Sequence, residues 1–119
     1  MSTDELLRAA AEIEQDCVTL LGLPDALNIS QIQHIEKTIT NMARFSDVVK
    51  EKADLLNNRA LQTAEPGFQL RTFLTTAIGQ PQIILYDYDL LLSEKQRNYL
   101  TQIIAKGETL TDLLTSMTT

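Results

Sequence analysis

The stretch Phe68 to Met117 opens FQLRTFLTTAIG (68–79) and closes LTQIIAKGETLTDLLTSM (100–117). Its first part carries a series at Leu70, Leu74, Ala77, Pro81, Ile84 and Leu91. Its second part carries Gln96, Leu100, Ile103, Gly107, Leu110, Leu114 and Met117. Steps of three and four place such residues on one face of a helix. The stretch therefore predicts two amphipathic helices, one over about 68–91 and one from Ser93 onward. Ser93 and Gln96 stand at capping-box spacing, which marks the start of the second. Pro81 lacks a backbone N–H, so a kink is expected near Ala77 to Gly79.

Upstream, a second pair of helices reads the same way. The first begins after Ser2 or Thr3, with Ser2 and Glu5 at capping-box spacing and Asp4 and Glu5 at the positive end of the helix dipole. Its stripe is Leu6, Ala10, Ile13, Cys17 and Leu20, and Gly22 and Pro24 end it. The next helix starts near Asn28 or Ser30, both good caps. Its stripe is Ile32, Ile35, Ile39, Met42, Val49, Ala53 and Leu56, with Ser46 filling one seam position and Phe45 beside it, and the pattern runs to about Leu61. Thr63-Ala64-Glu65-Pro66-Gly67 is the clearest break in the chain. Strand signals are absent: there are no alternating runs and no Asn-Gly or Asp-Gly turn. The fold expected is all-α, an antiparallel four-helix bundle built of two helical hairpins, in a single domain over 1–119. Hairpin 1 spans about 3–62 and hairpin 2 about 68–117.

The two hairpins also resemble each other. A shift of 65 residues lays Ile13 on Ile78, Leu20 on Leu85, Asn28 on Ser93, Gln31 on Gln96, Ile35 on Leu100 and Phe45 on Leu110. Amphipathic hairpins of equal length agree in stripe by construction, so this is either coincidence or a duplication that lets one chain imitate a dimer of hairpins.

Composition narrows the partners. The net charge is −6, with hydrophobic residues at 44% and charged residues at 22%. An acidic chain without Lys/Arg clusters fits neither a nucleic acid nor an anionic membrane. The one cysteine, Cys17, permits no internal disulfide and lies on the stripe of the first helix, where it reads as core filler. No apolar run approaches the ~20 residues of a membrane span, and the acidic MSTDELLRAA start is unlike a secretory signal. A cytoplasmic protein that docks on other proteins is expected. No metal-ligand set and no Gly-rich phosphate loop is present, so no cofactor is expected. Glu12, Glu14 and Asp16 read as a solvated helix face.

Three groups of residues remain as candidates for function. In the first, the order Q-L-R-T (69–72), A-I-G (77–79), S-E-K-Q (93–96) and L-T-Q-I-I-A-K-G-E-T-L-T-D-L-L (100–114), preceded by Asn58-Arg59-Ala60, resembles the dimerisation and phosphoacceptor hairpin of sensor histidine kinases over about residues 58–117. That family carries H-E-L-R-T-P-L at the corresponding place. Here the phosphoacceptor position is Phe68, whose phenyl ring has no nitrogen to phosphorylate. The acidic neighbour is Gln69 and the motif proline is Phe73. With no ATP-binding segment among the 119 residues, autokinase activity is not expected. The resemblance implies a non-catalytic adaptor of two-component signalling, alone or as a homodimer. Its protein partner would be a sensor kinase or a response-regulator receiver, bound near Phe68, Gln69, Arg71 and Thr72. Gln69 and Thr72, three apart on one helix face, keep the spacing with which such kinases position a water against a receiver's aspartyl phosphate.

The second candidate is His34, heading H-I-E-K-T (34–38), which is similar to the H-x-x-K-G of histidine phosphotransfer proteins but has Thr38 in place of the glycine. It stands as the alternative catalytic residue, beside the alternatives of an ordinary surface histidine and a purely structural oligomerisation bundle. The third is Tyr86-Asp87-Tyr88-Asp89, where Tyr86 and Tyr88 form either a contact patch or a helix end whose rings cover the core.

Overall fold

The computed structural model describes residues 3–57, 64–88 and 91–118. They form five helices: α1 (Thr3–Leu21), α2 (Ile29–Glu51), the short α3 (Ala53–Asn57), α4 (Ala64–Tyr88) and α5 (Glu94–Thr118). No strand occurs among the described residues. The molecule measures 49 × 21 × 19 Å, a rod about a third longer than its longest helices.

Local chemistry sets the helix starts. Asn28 caps α2: its side chain accepts from the Gln31 N–H at 2.7 Å, and the Asn28 N–H donates to Gln31 Oε1 at 2.8 Å. Ser93 does the same for α5 with Gln96, at 3.1 and 2.9 Å. Each box satisfies two N–H groups that a helix end otherwise leaves open. The Ser2 cap expected for α1 lies outside the described residues; Thr3 N–H instead donates to Asn57 Oδ1 at 3.2 Å, which ties α3 to the start of α1. The Pro66–Gly67 break falls differently from expectation. α4 already starts at Ala64, and Pro66 and Gly67 lie buried in its first turns, where a missing N–H costs little. The α2 pattern is interrupted at Lys52, whose N–H donates to the Val48 carbonyl at 2.8 Å, and α3 continues beyond it.

α1 packs on α2 and α5, and α4 packs on α2 and α5, so the long helices close a ring. Asp16 of α1 meets Lys106 of α5, and Asp25, just past α1, meets Ser93 at the start of α5, while His34 and Thr38 of α2 meet Gln80 and Ala77 of α4, so these neighbours run antiparallel. The core lies along the axis of the ring. α1 buries Leu6, Ala10, Ile13, Cys17 and Leu20, and α5 buries Leu100, Ile103, Leu110, Leu114 and Met117 along with Gln96 and Gly107, all as expected. α4 buries Leu70, Leu74, Ala77, Pro81 and Ile84. Leu91 corrects the expectation: it is 74% exposed, while Leu92 turns inward at the α4–α5 connection.

α2 departs further. Gln31, Ile35, Thr38, Met42, Phe45, Val48 and Val49 are buried, whereas Ile32, Ile39 and Ser46 are only half-buried. The inward face is turned toward two polar residues because each has a fixed partner there. Gln31 serves the α2 cap, and the Thr38 hydroxyl donates to the Ala77 carbonyl at 2.8 Å. That carbonyl lies four residues before Pro81, which has no N–H to offer it. Thr38 thus supplies the donor that the proline lacks, and α4 runs on through Pro81.

The likeness between the halves is visible in burial, in a corrected register. α2 maps onto α5 at a shift of 65: Gln31, Ile35, Thr38, Met42, Phe45 and Val49 fall on Gln96, Leu100, Ile103, Gly107, Leu110 and Leu114. α1 maps onto α4 at 64, not 65: Leu6, Ala10, Ile13, Cys17 and Leu20 fall on Leu70, Leu74, Ala77, Pro81 and Ile84. Ile78 and Leu85, the partners of Ile13 and Leu20 at a shift of 65, are half-buried. The step from Ile84 to Gln96 is one residue longer than the step from Leu20 to Gln31, which absorbs the difference. At mid-length, Ile13 and Ala77, Thr38 and Ile103, and Met42 and Gly107 surround one small enclosed space together with Ile78. A Cβ on Gly107 would stand 2.5 Å from Ile78 Cγ1, so the glycine makes room for that side chain as Met42 fills the matching place itself.

Candidate functional site

The residues singled out on α4 lie along its outer side. Phe68 is 72% exposed, Gln69 and Thr72 are exposed, and Tyr86 is 89% exposed. The side chain of Tyr88 lies outside the described residues. Arg71 is half-buried and already makes an interaction within the chain. The Thr72 hydroxyl donates to the Phe68 carbonyl at 3.0 Å, the usual back-bond of a helical threonine. Two shallow depressions flank this row. One, about 320 Å³, is lined by Phe68, Arg71, Thr72, Thr75 and Thr76. The other, about 400 Å³, is lined by Phe68, Gln69, Thr72 and Phe73. Neither is lined by an acidic group or a histidine, so the chemistry they offer is shape, aromatic surface, hydrogen bonding and the Arg71 guanidinium. Phe68 and Tyr86 are 18 residues apart, about 27 Å along the helix and five full turns, so they share one line on its surface.

His34 belongs to a different place, the seam between α2 and α4. It is half-buried, and its Nδ1 lies 2.7 Å from Gln80 Oε1. Gln80 Nε2 donates to the Thr76 carbonyl at 3.2 Å, which fixes the amide with its oxygen toward the ring. An amide oxygen only accepts, so Nδ1 carries the proton and neutral His34 has its lone pair on Nε2. The histidine is therefore more constrained than an ordinary surface residue. Lys37 is exposed one turn on, and Thr38 is buried beneath it. Gln80 and Phe68 are 12 residues apart, about 18 Å along α4, so His34 and the Phe68 row are separate sites.

Sequence reading missed both Gln80 and the role of Thr38. The second had a signal: a proline inside a helix leaves the carbonyl four residues earlier without its donor, and a buried hydroxyl opposite is a ready answer.

The carboxylates of α1 are not one solvated face. Glu12 is exposed, but Asp16 accepts from Lys106 Nζ at 2.7 Å across the α1–α5 seam. Glu14 is half-buried; loss of solvent raises its pKa from the ordinary 4.5, Lys50 opposes that and Asp47 adds to it. Burial, then the neighbouring Asp16 and Glu14 charges, push the Cys17 thiol up to about 12, in keeping with a core filler. Among the described residues no three His, Cys, Asp or Glu side chains gather to hold a metal ion, and no helix is long and apolar enough to cross a membrane. No family model, curated protein or solved structure matches the chain.

Proposed function

We propose that the chain is a non-catalytic adaptor of two-component signalling, an antiparallel four-helix bundle of two hairpins that docks on a sensor kinase hairpin or a response-regulator receiver in the cytoplasm. The observation that carries this reading is Phe68. At the position where the resembling kinase hairpins hold their histidine stands a phenyl ring, 72% exposed and flanked by two open depressions. A side chain without nucleophile or acid, held in water on a partner-sized surface, suits recognition and not phosphate transfer. Gln69 and Thr72 keep their places beside it, and Tyr86 extends the row.

A second reading is supported by His34. The Gln80 contact selects the tautomer: in the neutral ring the lone pair is on Nε2. In a phosphotransfer step its lone pair attacks the phosphorus of a receiver's aspartyl phosphate; the P–O bond breaks and the carboxylate leaves with the bonding pair.

One experiment separates the readings. The protein is mixed with phosphorylated receivers and kinase hairpins from its source genome. Binding that Phe68→Glu weakens at least tenfold, without label appearing on the chain, is the result expected. Acid-labile phosphate on the wild type that disappears in His34→Ala overturns the non-catalytic reading. Binding to none of them leaves an oligomerisation bundle.

A further inference from the structure

Between Phe68 and Tyr86 the chain carries a single charged residue, Arg71. The other long helices expose both signs: Asp4, Arg8 and Glu12 on α1, Glu36, Arg44 and Asp47 on α2, Glu94, Lys95 and Glu108 on α5. On α4 the exposed positions from Phe68 to Tyr86 are instead Phe68, Gln69, Thr72, Thr75, Thr76, Gln82, Ile83 and Tyr86, and the first exposed charge beyond them is Asp87. A water-facing stripe about 27 Å long whose exposed positions carry no charge, on a chain of net charge −6, is a surface that something covers. Gly79 sits midway along it. A Cβ there would meet nothing within 4 Å, and no glycine among the described residues has positive φ. Nothing inside the chain calls for glycine, although alanine would favour the helix by about 1 kcal/mol. The space at Gly79 is available only to a body outside the chain.

We propose that this face is where two copies of the chain associate, α4 against α4 in antiparallel orientation. The spacing selects a second copy. A two-fold contact requires that if residue i meets j, then j meets i. Turning α4 about its midpoint near residue 77 sets Phe68 against Tyr86, Thr72 against Gln82, and Thr75 against the space at Gly79. Aromatic rings then cap both ends, and the closest approach falls where the side chain is missing. Charge is compatible with the same face: two chains of −6 repel, and the stripe from Phe68 to Tyr86 exposes no carboxylate to add to that repulsion. The strip is about 27 Å long and one helix wide, ~10 Å. It buries on the order of 300–500 Å² per copy, short of the ~800 Å² of a standard stable complex. The association is therefore weak, rises with concentration, and strengthens with salt as repulsion is screened. It does not depend on the signalling reading. Because it uses Phe68, Thr72 and Tyr86, a copy and a docking partner exclude one another.

The test uses full-length Phe68→Cys and Tyr86→Cys variants. Both positions are exposed, so folding is preserved, while Cys17 is buried and reacts only as the chain opens. Each variant alone, and the two mixed, are treated at about 0.1 mM with a bismaleimide linker spanning the ~8–10 Å of packed helices. The mixture should give a cross-linked dimer at several times the yield of either variant alone. Equal yield from a single variant, or none from the mixture, overturns the antiparallel contact. Sedimentation supplies a second measurement. The wild-type average mass should rise above 13.3 kDa with concentration and further with salt, and Thr75→Glu should abolish the rise. A wild type that stays at 13.3 kDa, or a Thr75→Glu variant that associates as well as wild type, overturns the proposal.

Discussion

Replacing Thr38 by valine removes one buried hydroxyl and nearly keeps the side-chain volume. In the wild type it leaves the Ala77 carbonyl, inside the α2–α4 seam, without the donor now 2.8 Å away. Pro81 cannot replace it, so the expected cost is that of a buried acceptor left unpaired, ~1–3 kcal/mol. In a Pro81→Ala background the new N–H at position 81 serves the same carbonyl, and Thr38→Val should then be close to neutral. The two substitutions should therefore couple by ~1–2 kcal/mol in a double-mutant cycle. Urea titration of the four proteins measures this, provided the denaturant slope stays constant across the set. In a thermal scan of a chain this size the coupling corresponds to roughly 4–8 °C. The matching trio in the other half serves as a control. There Cys17, which has its N–H, stands in the place of Pro81, and Ile103, which has no hydroxyl, stands in the place of Thr38. Additivity within ~0.3 kcal/mol would refute the reasoning, because distant or unlinked sites add to that precision.

Other outcomes follow from the same packing. Gly107→Ala should destabilise by ~1–3 kcal/mol despite its better helix propensity, since its Cβ falls 2.5 Å from Ile78 Cγ1. Ile78→Val in the same chain should recover part of the loss in a urea titration. Glu14 has its pKa raised in the folded state, so the folded chain holds this proton at pH values where the unfolded chain has released it. The penalty is absent below the unfolded pKa and fully present above the folded one. Glu14→Gln should therefore raise stability relative to wild type at pH 7 but not at pH 3.5, read as the difference in urea midpoints. Cys17, buried and with its thiol pushed up to about 12, should alkylate at neutral pH only as fast as the chain opens. Labelling that matches the rate of a free thiol would contradict its place in the core.

Helix existence and the inward faces of α1 and α5 were legible in the sequence, because there the core positions are apolar and the period is unbroken. The inward face of α2 was not. Reading Ile32 and Ile39 as core assumes that apolar side chains take the buried positions, yet Gln31 and Thr38 hold them. Each is fixed by a hydrogen-bonding demand that depends on geometry: a cap, and a carbonyl on another helix. The one-residue error in matching α1 to α4 had a similar origin. One shift cannot hold across both helices, because the step between the matched core residues Leu20 and Gln31 is one residue shorter than that between Ile84 and Gln96, and only burial shows this. On α4 the exposed row was legible as a motif. The bond from His34 to Gln80 spans 46 residues, and no local pattern announces it.

The carbonyl of Ala77 also bears on how the halves recognise each other. Were the chain cut between Asn57 and Ala64, the α4–α5 fragment pairing with itself would place Ile103 where Thr38 belongs, stranding one carbonyl on each side. Pairing with the α1–α3 fragment strands none. At ~1.4 kcal/mol for each factor of ten in equilibrium, two stranded groups bias the fragments strongly toward the mixed assembly. A hydroxyl on one half and a proline on the other thus favour the pairing of unlike halves over the pairing of like ones.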